Sequence, residues 1–120
     1  MKIEITQYKL PSWNTLYKGT HWTYRHKIAE EAHQLVYWAV KQQHSKNDFP
    51  YKKPVQIDYE IHYKAKRRRD VDNACVKILC DGLVLAGVLK DDSADFIPFI
   101  TIKMILGQST DKVVIKIKEL

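Results

Sequence analysis

The fold is decided by the stretch Val55-Gln56-Ile57-Asp58-Tyr59-Glu60-Ile61-His62-Tyr63, in which apolar and polar residues alternate without exception. Successive side chains of a β-strand point to opposite faces of the sheet, so strict alternation over this length predicts a strand. One face of that strand is apolar and the other polar, which is typical of a sheet with one buried and one solvated side.

Three further strands are expected around this one. The first covers residues 2–10, where Pro11-Ser12 break the alternation. The next covers residues 96–105, and Pro98 within it implies an edge position or a bulge near the start of the strand. The last alternates over residues 113–118 after a turn at 107–111. The predicted sheet therefore has four strands.

Two helices are expected between the strands, over residues 23–43 and from residue 72 or 73 to about 85. Gly87 follows the second one and suits its C-cap. The apolar stripes are Ile28, Ala32, Leu35, Val36, Ala39 and Val40 in the first helix, and Cys75, Ile78, Leu79 and Leu83 in the second. The predicted order is β-α-β-α-β-β, an α+β fold in which two helices back a mixed sheet.

Length and charge narrow the function. At 120 residues the chain is expected to form one domain, residues 1–120. Twenty Lys and Arg against fourteen Asp and Glu give a formal charge of +6, which favours a polyanionic partner, nucleic acid first. No run approaches the ~18 apolar residues that span a membrane, and the charged N-terminus is unlike a signal peptide. We therefore expect a cytoplasmic protein without a membrane partner.

The cysteines and histidines do not indicate a metal site. Cys75 and Cys80 lie five residues apart in the second predicted helix, where they cannot close a disulfide and are expected to be reduced core thiols. The five histidines are scattered, and no pair of Cys or His has zinc-ligand spacing. We also expect no small-molecule cofactor.

The most informative motif is Arg67-Arg68-Arg69-Asp70-Val71-Asp72-Asn73, which follows the alternating strand. Guanidinium groups hold phosphate oxygens at any relevant pH. Carboxylate oxygens suit a hard cation such as Mg²⁺, which takes one or two protein carboxylates together with substrate phosphate. The motif therefore suggests metal-assisted phosphodiester chemistry. The alternative is a solvated turn in which an aspartate caps a helix.

The spacing of the two aspartates makes a metal pocket possible. If the chain is still extended from Arg69 to Asp72, Asp70 and Asp72 point the same way. Helix N-terminal amides at Asn73 to Cys75 would then favour negative charge beside them, including a substrate phosphate. In the alternative interpretation Asp72 simply caps the helix, and the two roles are compatible.

A polar stripe runs along the second helix through Asn73, Lys77 and Asp81, which follow one another at steps of four residues. A lysine on that stripe is able to reach the same phosphate. Alternatively, Lys77 and Asp81 form only a surface pair. The loop pair Asp91-Asp92 has the same two interpretations, a functional pair or a common acidic loop.

Together these pieces resemble the RusA-type Holliday junction resolvases, endonucleases found largely in phages and prophages. The arginine-aspartate motif is similar to that family's Asp-Leu-Asp-Asn signature with its basic lead-in. Residues 77–83, followed by Asp91-Asp92, are similar to its Lys-x-x-x-Asp-Ala-Leu helix and acidic pair. Pro11-Ser12-Trp13-Asn14 is similar to its Pro-Ser-x-Asn loop. The pieces occur in the family's order and span about residues 10–95.

The resemblance implies a homodimeric, Mg²⁺-dependent endonuclease, with Mn²⁺ expected to substitute, that makes paired symmetric cuts at four-way DNA junctions in recombination and repair. By position, Asp70, Asp72 and Asp92 become the metal ligands and catalytic carboxylates, with Asp91 next in line. Lys77 becomes a phosphate-contacting catalytic residue. The expected DNA contacts are Lys64, Lys66, Arg67, Arg68 and Arg69, with Asn14 and Asn73.

One interval departs from the family pattern. Two residues separate the Asn from the Lys in the family, whereas Ala74, Cys75 and Val76 lie between Asn73 and Lys77 here. One extra residue turns a helix by about 100°. Either the helix begins one residue later, or Lys77 faces another direction.

Two other functions are compatible with the same residues. A non-catalytic nucleic-acid-binding module would use Lys64, Lys66 and the three arginines for phosphate contacts, with a steep salt dependence and no metal requirement. A related nuclease acting on other structured DNA or on RNA would share the site and differ only in substrate.

Overall fold

The structure is a computed structural model that describes residues 1–17, 21–45 and 49–120. Its elements, in chain order, are β1 (Lys2–Thr6), α1 (Trp13–Tyr17), α2 (Trp22–Gln43), β2 (Val55–His62), α3 (Lys77–Leu85), β3 (Phe99–Ile105) and β4 (Lys112–Glu119), with a 3₁₀ turn over Val71–Asn73. The predicted α+β class and strand–helix order are confirmed. The short helix α1 was not predicted.

The four strands form one sheet in the order β1-β4-β2-β3. β4 pairs antiparallel with both β1 and β2, and β2 pairs parallel with β3, so the predicted mixed sheet is confirmed. The edge position that Pro98 implied for β3 is also confirmed, although the proline precedes the strand instead of interrupting it. The sheet thus ends in β1 on one side and β3 on the other.

The core lies between the helices and one face of the sheet. The apolar residues of β2 are almost fully buried there, whereas its polar residues are half-buried on the opposite face. Helix α2 contributes Ala32, Val36 and Val40, and α3 contributes Leu79 and Leu83. The alternation in the sequence therefore marks the two faces of the sheet as expected.

Helices α2 and α3 pack closely at Gly82. A Cβ atom at this position would lie 3.0 Å from the Cβ of Val36. Real Cβ contacts are rarely that short, so the absence of a side chain at residue 82 lets the two helices approach. This contact fixes α3, which carries Lys77, against the body of the protein.

The start of α3 corrects the sequence prediction. The helix begins at Lys77 and not at residue 72 or 73, because the preceding residues form the 3₁₀ turn and a separate bridge between Ser12 and Ala74. Cys75 therefore precedes the helix, and only Cys80 lies within it. Both thiols are free, Cys75 buried and Cys80 half-buried.

The two edges of the sheet differ. The β1 edge is covered by the end of α2, where the Gln43 amide accepts from Glu4 N and donates to Glu4 O, both at 3.0 Å. Beside it, His44 Nε2 lies 2.7 Å from the carbonyl oxygen of Lys2. Along the described residues, the outer backbone groups of β3 have no such partner. No helix in the described ranges is long and apolar enough to cross a membrane.

Candidate active site

The basic run leaves the sheet at the end of β2. Tyr63 is buried there, and its hydroxyl donates to the carbonyl oxygen of Leu10 at 2.9 Å. Burial raises the pKa of this hydroxyl, so it stays protonated as a donor. Lys64 N donates to Asp111 Oδ1 at 2.9 Å, which fixes the point where the run departs. The side chains of Lys64, Lys66, Arg67 and Arg68 are all exposed.

Arg69 differs from the other basic residues. Its guanidinium carbon lies 3.9 Å from the ring centroid of Tyr63, a close cation–π contact. Nε and Nη2 of Arg69 are buried and have no hydrogen-bond partner among the described residues. A buried donor without an acceptor is unfavourable by about 1–3 kcal/mol, more for a charged group. The held guanidinium is therefore ready to receive an acceptor from outside the chain.

A recess of about 400 Å³ opens beside this guanidinium. Its polar lining is supplied by Ser12, Asn14, Arg67, Arg68, Arg69, Asp70 and Asn73, with Tyr63 and Met104 beneath them. We call it the basic recess. Both predicted asparagines and all three arginines of the motif thus lie at one place on the surface.

The N-terminal loop forms one wall of the basic recess. Asn14 N donates to Asn73 Oδ1 at 3.3 Å, and Ser12 pairs with Ala74 as an isolated bridge. Cys75 N donates to the carbonyl oxygen of Pro11 at 3.2 Å. The two asparagines that were singled out in the sequence are therefore joined, although Asn14 uses its backbone and keeps an exposed side chain.

Asp70 and Asp72 lie in different backbone conformations. Asp70 is extended, with φ −99° and ψ 131°, whereas Asp72 lies inside the 3₁₀ turn. The premise of an extended chain through Asp72 was therefore wrong. Both aspartates are exposed and nevertheless line one shallow, wide-open depression of the surface, together with Arg69, Val71, Ile100 and Ile102. We call it the acidic recess, and it meets the basic recess at Arg69 and Asp70.

The expected helix N-terminal amides are not free. Asn73 N donates to Asp70 O at 3.1 Å, and Ala74 N donates to Val71 O at 3.2 Å. Cys75 N donates to the carbonyl oxygen of Pro11. These bonds close the 3₁₀ turn and the bridge, since the helix starts later. The amides at 73–75 consequently offer nothing to a phosphate, and Asp72 does not cap α3, whose N-cap residue is Val76.

Lys77 is held by two carboxylates. Its Nζ lies 2.9 Å from Asp81 Oδ1 and 2.7 Å from Asp92 Oδ2. The hydrogen bond from Lys77 holds the pKa of Asp92 below its usual value, and the bonds to Asp92 and Asp81 raise the pKa of Lys77. The helix therefore begins later than predicted, which accommodates the extra residue after Asn73, and Lys77 reaches Asp92 of the loop pair Asp91-Asp92.

The acidic residues fall into two separate groups, Asp70 with Asp72 in the acidic recess and Asp81 with Asp92 around Lys77. Within residues 1–17, 21–45 and 49–120, no set of three or more His, Cys, Asp or Glu is close enough to hold a metal ion. Asp91 is exposed in its loop. The assignments of Asp70, Asp72, Asp92 and Asp91 as metal ligands all stay predictions.

Two contributions were not found in the sequence. Tyr63 was read only as the last residue of the strand, and its role beneath Arg69 depends on the chain turning back between them. Asp81 was noted as a partner of Lys77, but its sharing of that lysine with Asp92 depends on the loop after α3. Neither the Tyr63–Arg69 contact nor the Lys77–Asp92 contact produces a recognisable residue spacing in the sequence, because each joins two different elements or loops.

Comparison with known proteins is consistent with this geometry. The family model described as Endodeoxyribonuclease RusA matches residues 6–118 of the chain. The match includes β1 in part, both recesses, the Lys77 group and all but the last residue of β4. No curated protein matches the chain.

Proposed function

The chain belongs to the RusA family of Holliday junction endodeoxyribonucleases, and from this membership we propose that it is a Mg²⁺-dependent resolvase that makes paired symmetric cuts at four-way DNA junctions as a homodimer. The observation that carries the proposal is the meeting of the two recesses at Arg69 and Asp70. A surface lined by three arginines and a pair of exposed carboxylates thereby lie side by side.

The donor set of the acidic recess fits Mg²⁺. The ion takes hard oxygen ligands and is typically held by one or two carboxylates, with water and substrate phosphate completing its shell. Asp70 and Asp72 supply two exposed carboxylates on one open recess, which leaves room for those other ligands. Mg²⁺ bound there would supply Lewis-acid activation of the scissile phosphate and of a water nucleophile. Mn²⁺ should substitute, since it also accepts oxygen ligands.

The basic recess positions the DNA strand. Arg69 presents two buried donors that have no hydrogen-bond partner in the described part of the chain, so a phosphate oxygen that enters the recess would satisfy them. Tyr63 holds the guanidinium plane from below and reduces the freedom that binding would otherwise remove. The exposed side chains of Lys64, Lys66, Arg67 and Arg68 extend the positive surface along the strand. Asn14 and Asn73 set the wall of the recess.

For Lys77 we propose a role through Asp92. An ammonium group already shared by two carboxylates carries little free charge for a phosphate. It keeps Asp92 ionised and pointed in a fixed direction, and an ionised carboxylate is the form that ligates a metal or accepts a proton from water. Lys77 is in this sense a positioning residue.

The test is cleavage of a synthetic four-way junction with Mg²⁺ or Mn²⁺. We expect Asp70→Asn and Asp72→Asn each to lower the cleavage rate at least 100-fold while junction binding persists, as expected for loss of one hard oxygen ligand. Asp95→Asn is the matched control, because it removes an exposed loop carboxylate outside both recesses. Unchanged rates in both mutants would contradict the metal-site assignment.

The same assay separates the alternative functions. Tight junction binding without cleavage under any divalent ion would identify a binding module, and faster cleavage of structured RNA than of the junction would identify a different substrate.

A further inference from the structure

The outer edge of β3 is a candidate surface for binding a partner. β3 is the last strand of the sheet, and its neighbour is β2 alone. Edge strands expose unpaired backbone groups, and folded proteins usually cover or protect them. Here the β1 edge is covered by Gln43 and His44, whereas β3 exposes Phe99 and Ile100 by 51% and 44%.

The backbone groups on this edge can be assigned from the β2–β3 ladder. Tyr63 N donates to Ile105 O at 2.9 Å, so Ile105 directs its backbone toward β2. Parallel strands bond through alternate residues, and the intervening ones direct their N–H and C=O outward. The outward residues of β3 are therefore Ile100, Ile102 and Met104. Among the described residues, none of their outward groups has a hydrogen-bond partner.

We infer that this edge pairs with the β3 edge of a second copy of the chain, antiparallel and centred on Ile102. In that register Ile102 faces the partner's Ile102 and Ile100 faces the partner's Met104. Every outward donor then meets an outward acceptor, as in the hydrogen-bonded pairs of an antiparallel ladder. The apolar side chains of these residues lie on the helix side of the sheet, opposite Ile57, Tyr59 and Ile61 of β2.

The neighbouring registers are disfavoured by charge and by proline. Centring on Ile102 places Lys103 opposite the partner's Thr101, so no like charges oppose each other. Centring on Lys103 sets two lysines face to face at the close, non-hydrogen-bonded position, which is destabilising. Centring on Thr101 sets Pro98 opposite Met104, where the proline has no N–H to donate. The strand is thus self-complementary in one register.

This pairing deepens the proposed function and, as an account of paired cuts, rests on it. Edge-to-edge antiparallel pairing has a two-fold axis normal to the sheet, which keeps the helices of both copies on one side. Ile100 and Ile102 line the acidic recess with Asp70 and Asp72. The two acidic recesses would therefore flank the seam on the same face of a continuous sheet, as symmetric cuts on one junction require.

Cysteine cross-linking tests the register. We expect Ile102→Cys to form a disulfide-linked dimer under mild oxidation, since residues directly opposite lie within disulfide reach. Lys103→Cys is the matched control, because in this register it faces Thr101 and should cross-link at least tenfold more slowly. The native Cys75 and Cys80 are present in both variants, so any cross-linking through them contributes equally to both measurements. Equal cross-linking of the two variants, or faster linking of Lys103→Cys, would overturn the register.

Sedimentation of the uncross-linked chain tests the interface itself. In this register, Thr101→Lys sets a lysine opposite the partner's Lys103, and the two-fold axis repeats this pair on the other side. The like charges repel, so the dimer dissociation constant should rise roughly tenfold. The double variant Thr101→Lys with Lys103→Glu should restore it. A wild-type chain that is monomeric at micromolar concentration, or a dimer unaffected by Thr101→Lys, would refute the pairing. Junction cleavage is read separately. A dimer that does not cut refutes the proposed nuclease activity and leaves the interface standing. A monomer that cuts refutes the interface and the homodimer, and leaves the nuclease activity standing.

Discussion

Lys77 Nζ lies 2.7 Å from Asp92 Oδ2, so the first residue of α3 holds a carboxylate of the loop that follows the helix. Asp81 takes the same ammonium at 2.9 Å. All three side chains are partly exposed, so the pairs contribute little to stability. Their main effect is to fix where Asp92 points and which protonation state it has.

The first prediction concerns the pKa of Asp92. Because the bond from Lys77 lowers this pKa in the folded protein, the stabilisation is present above the unfolded pKa and is lost as pH falls through the folded one. Lys77→Met should therefore raise the pKa of Asp92 and move the acid limb of the cleavage profile to higher pH. Carboxyl-carbon NMR titration measures the first effect, and pH–rate profiles measure the second.

Lys90→Met is the matched control for that prediction, since it removes one exposed lysine from the same region. The two variants therefore have the same net charge. An acid limb that stays in place in Lys77→Met would show that Asp92 acts independently of the lysine.

The second prediction concerns Arg69. Arg69→Lys keeps the charge but loses the planar group that lies over Tyr63, so junction affinity should fall about tenfold. Arg68→Lys, at a neighbouring exposed position, should change affinity by less than about twofold, because either cation serves at a solvated phosphate contact. Binding titrations at fixed salt measure both. Equal losses in the two variants would mean that the cation–π contact has no part in binding.

The third prediction concerns metal removal. A chelator should abolish cleavage while leaving the melting temperature nearly unchanged, because Asp70 and Asp72 are exposed and lie outside the core. Junction binding should persist through the basic recess, with the salt dependence of phosphate contacts. Cleavage assays, thermal melts and binding titrations on one chelated sample provide the comparison. A large drop in melting temperature would instead indicate a structural ion.

The fourth prediction concerns the contact between α2 and α3. Gly82→Ala places a Cβ 3.0 Å from that of Val36 and should destabilise the fold by about 1–3 kcal/mol, less the gain in helix propensity. Val36→Ala combined with Gly82→Ala should recover only part of the loss, because it removes the Val36 Cγ2 atom at 3.1 Å and leaves the Cβ at 3.0 Å. Denaturant unfolding of the two singles and the double gives the coupling. Additive effects would argue against direct contact.

Much of the fold could be predicted because the residues of β2 themselves carry the pattern of a strand. Its alternation has the period of a strand, and the same alternation separates the buried face from the wet one. The start of α3 could not be predicted in this way. Cys75 N bonds to Pro11, more than sixty residues earlier in the sequence, and this long-range contact overrides the helical spacing of the apolar residues.

The candidate site shows the same division. The acidic and basic residues of the motif are contiguous, so their common location followed from the sequence. The sequence could not predict which arginine stacks on an aromatic ring. That depends on Tyr63 lying beneath Arg69 and not beneath Arg68. Similarly, the sharing of Lys77 depends on the path of the loop that carries Asp92.

The amide of Gln43 imitates a peptide group at the β1 edge, donating and accepting where another strand would. A chain with two available edges adds copies without limit and grows into a filament. With the β1 edge closed by a side chain of the same molecule, the sheet formed by the described residues has one edge left for strand pairing. An assembly built by strand pairing at the β3 edge would consequently end at two copies, because Gln43 occupies the backbone groups that a further strand would need.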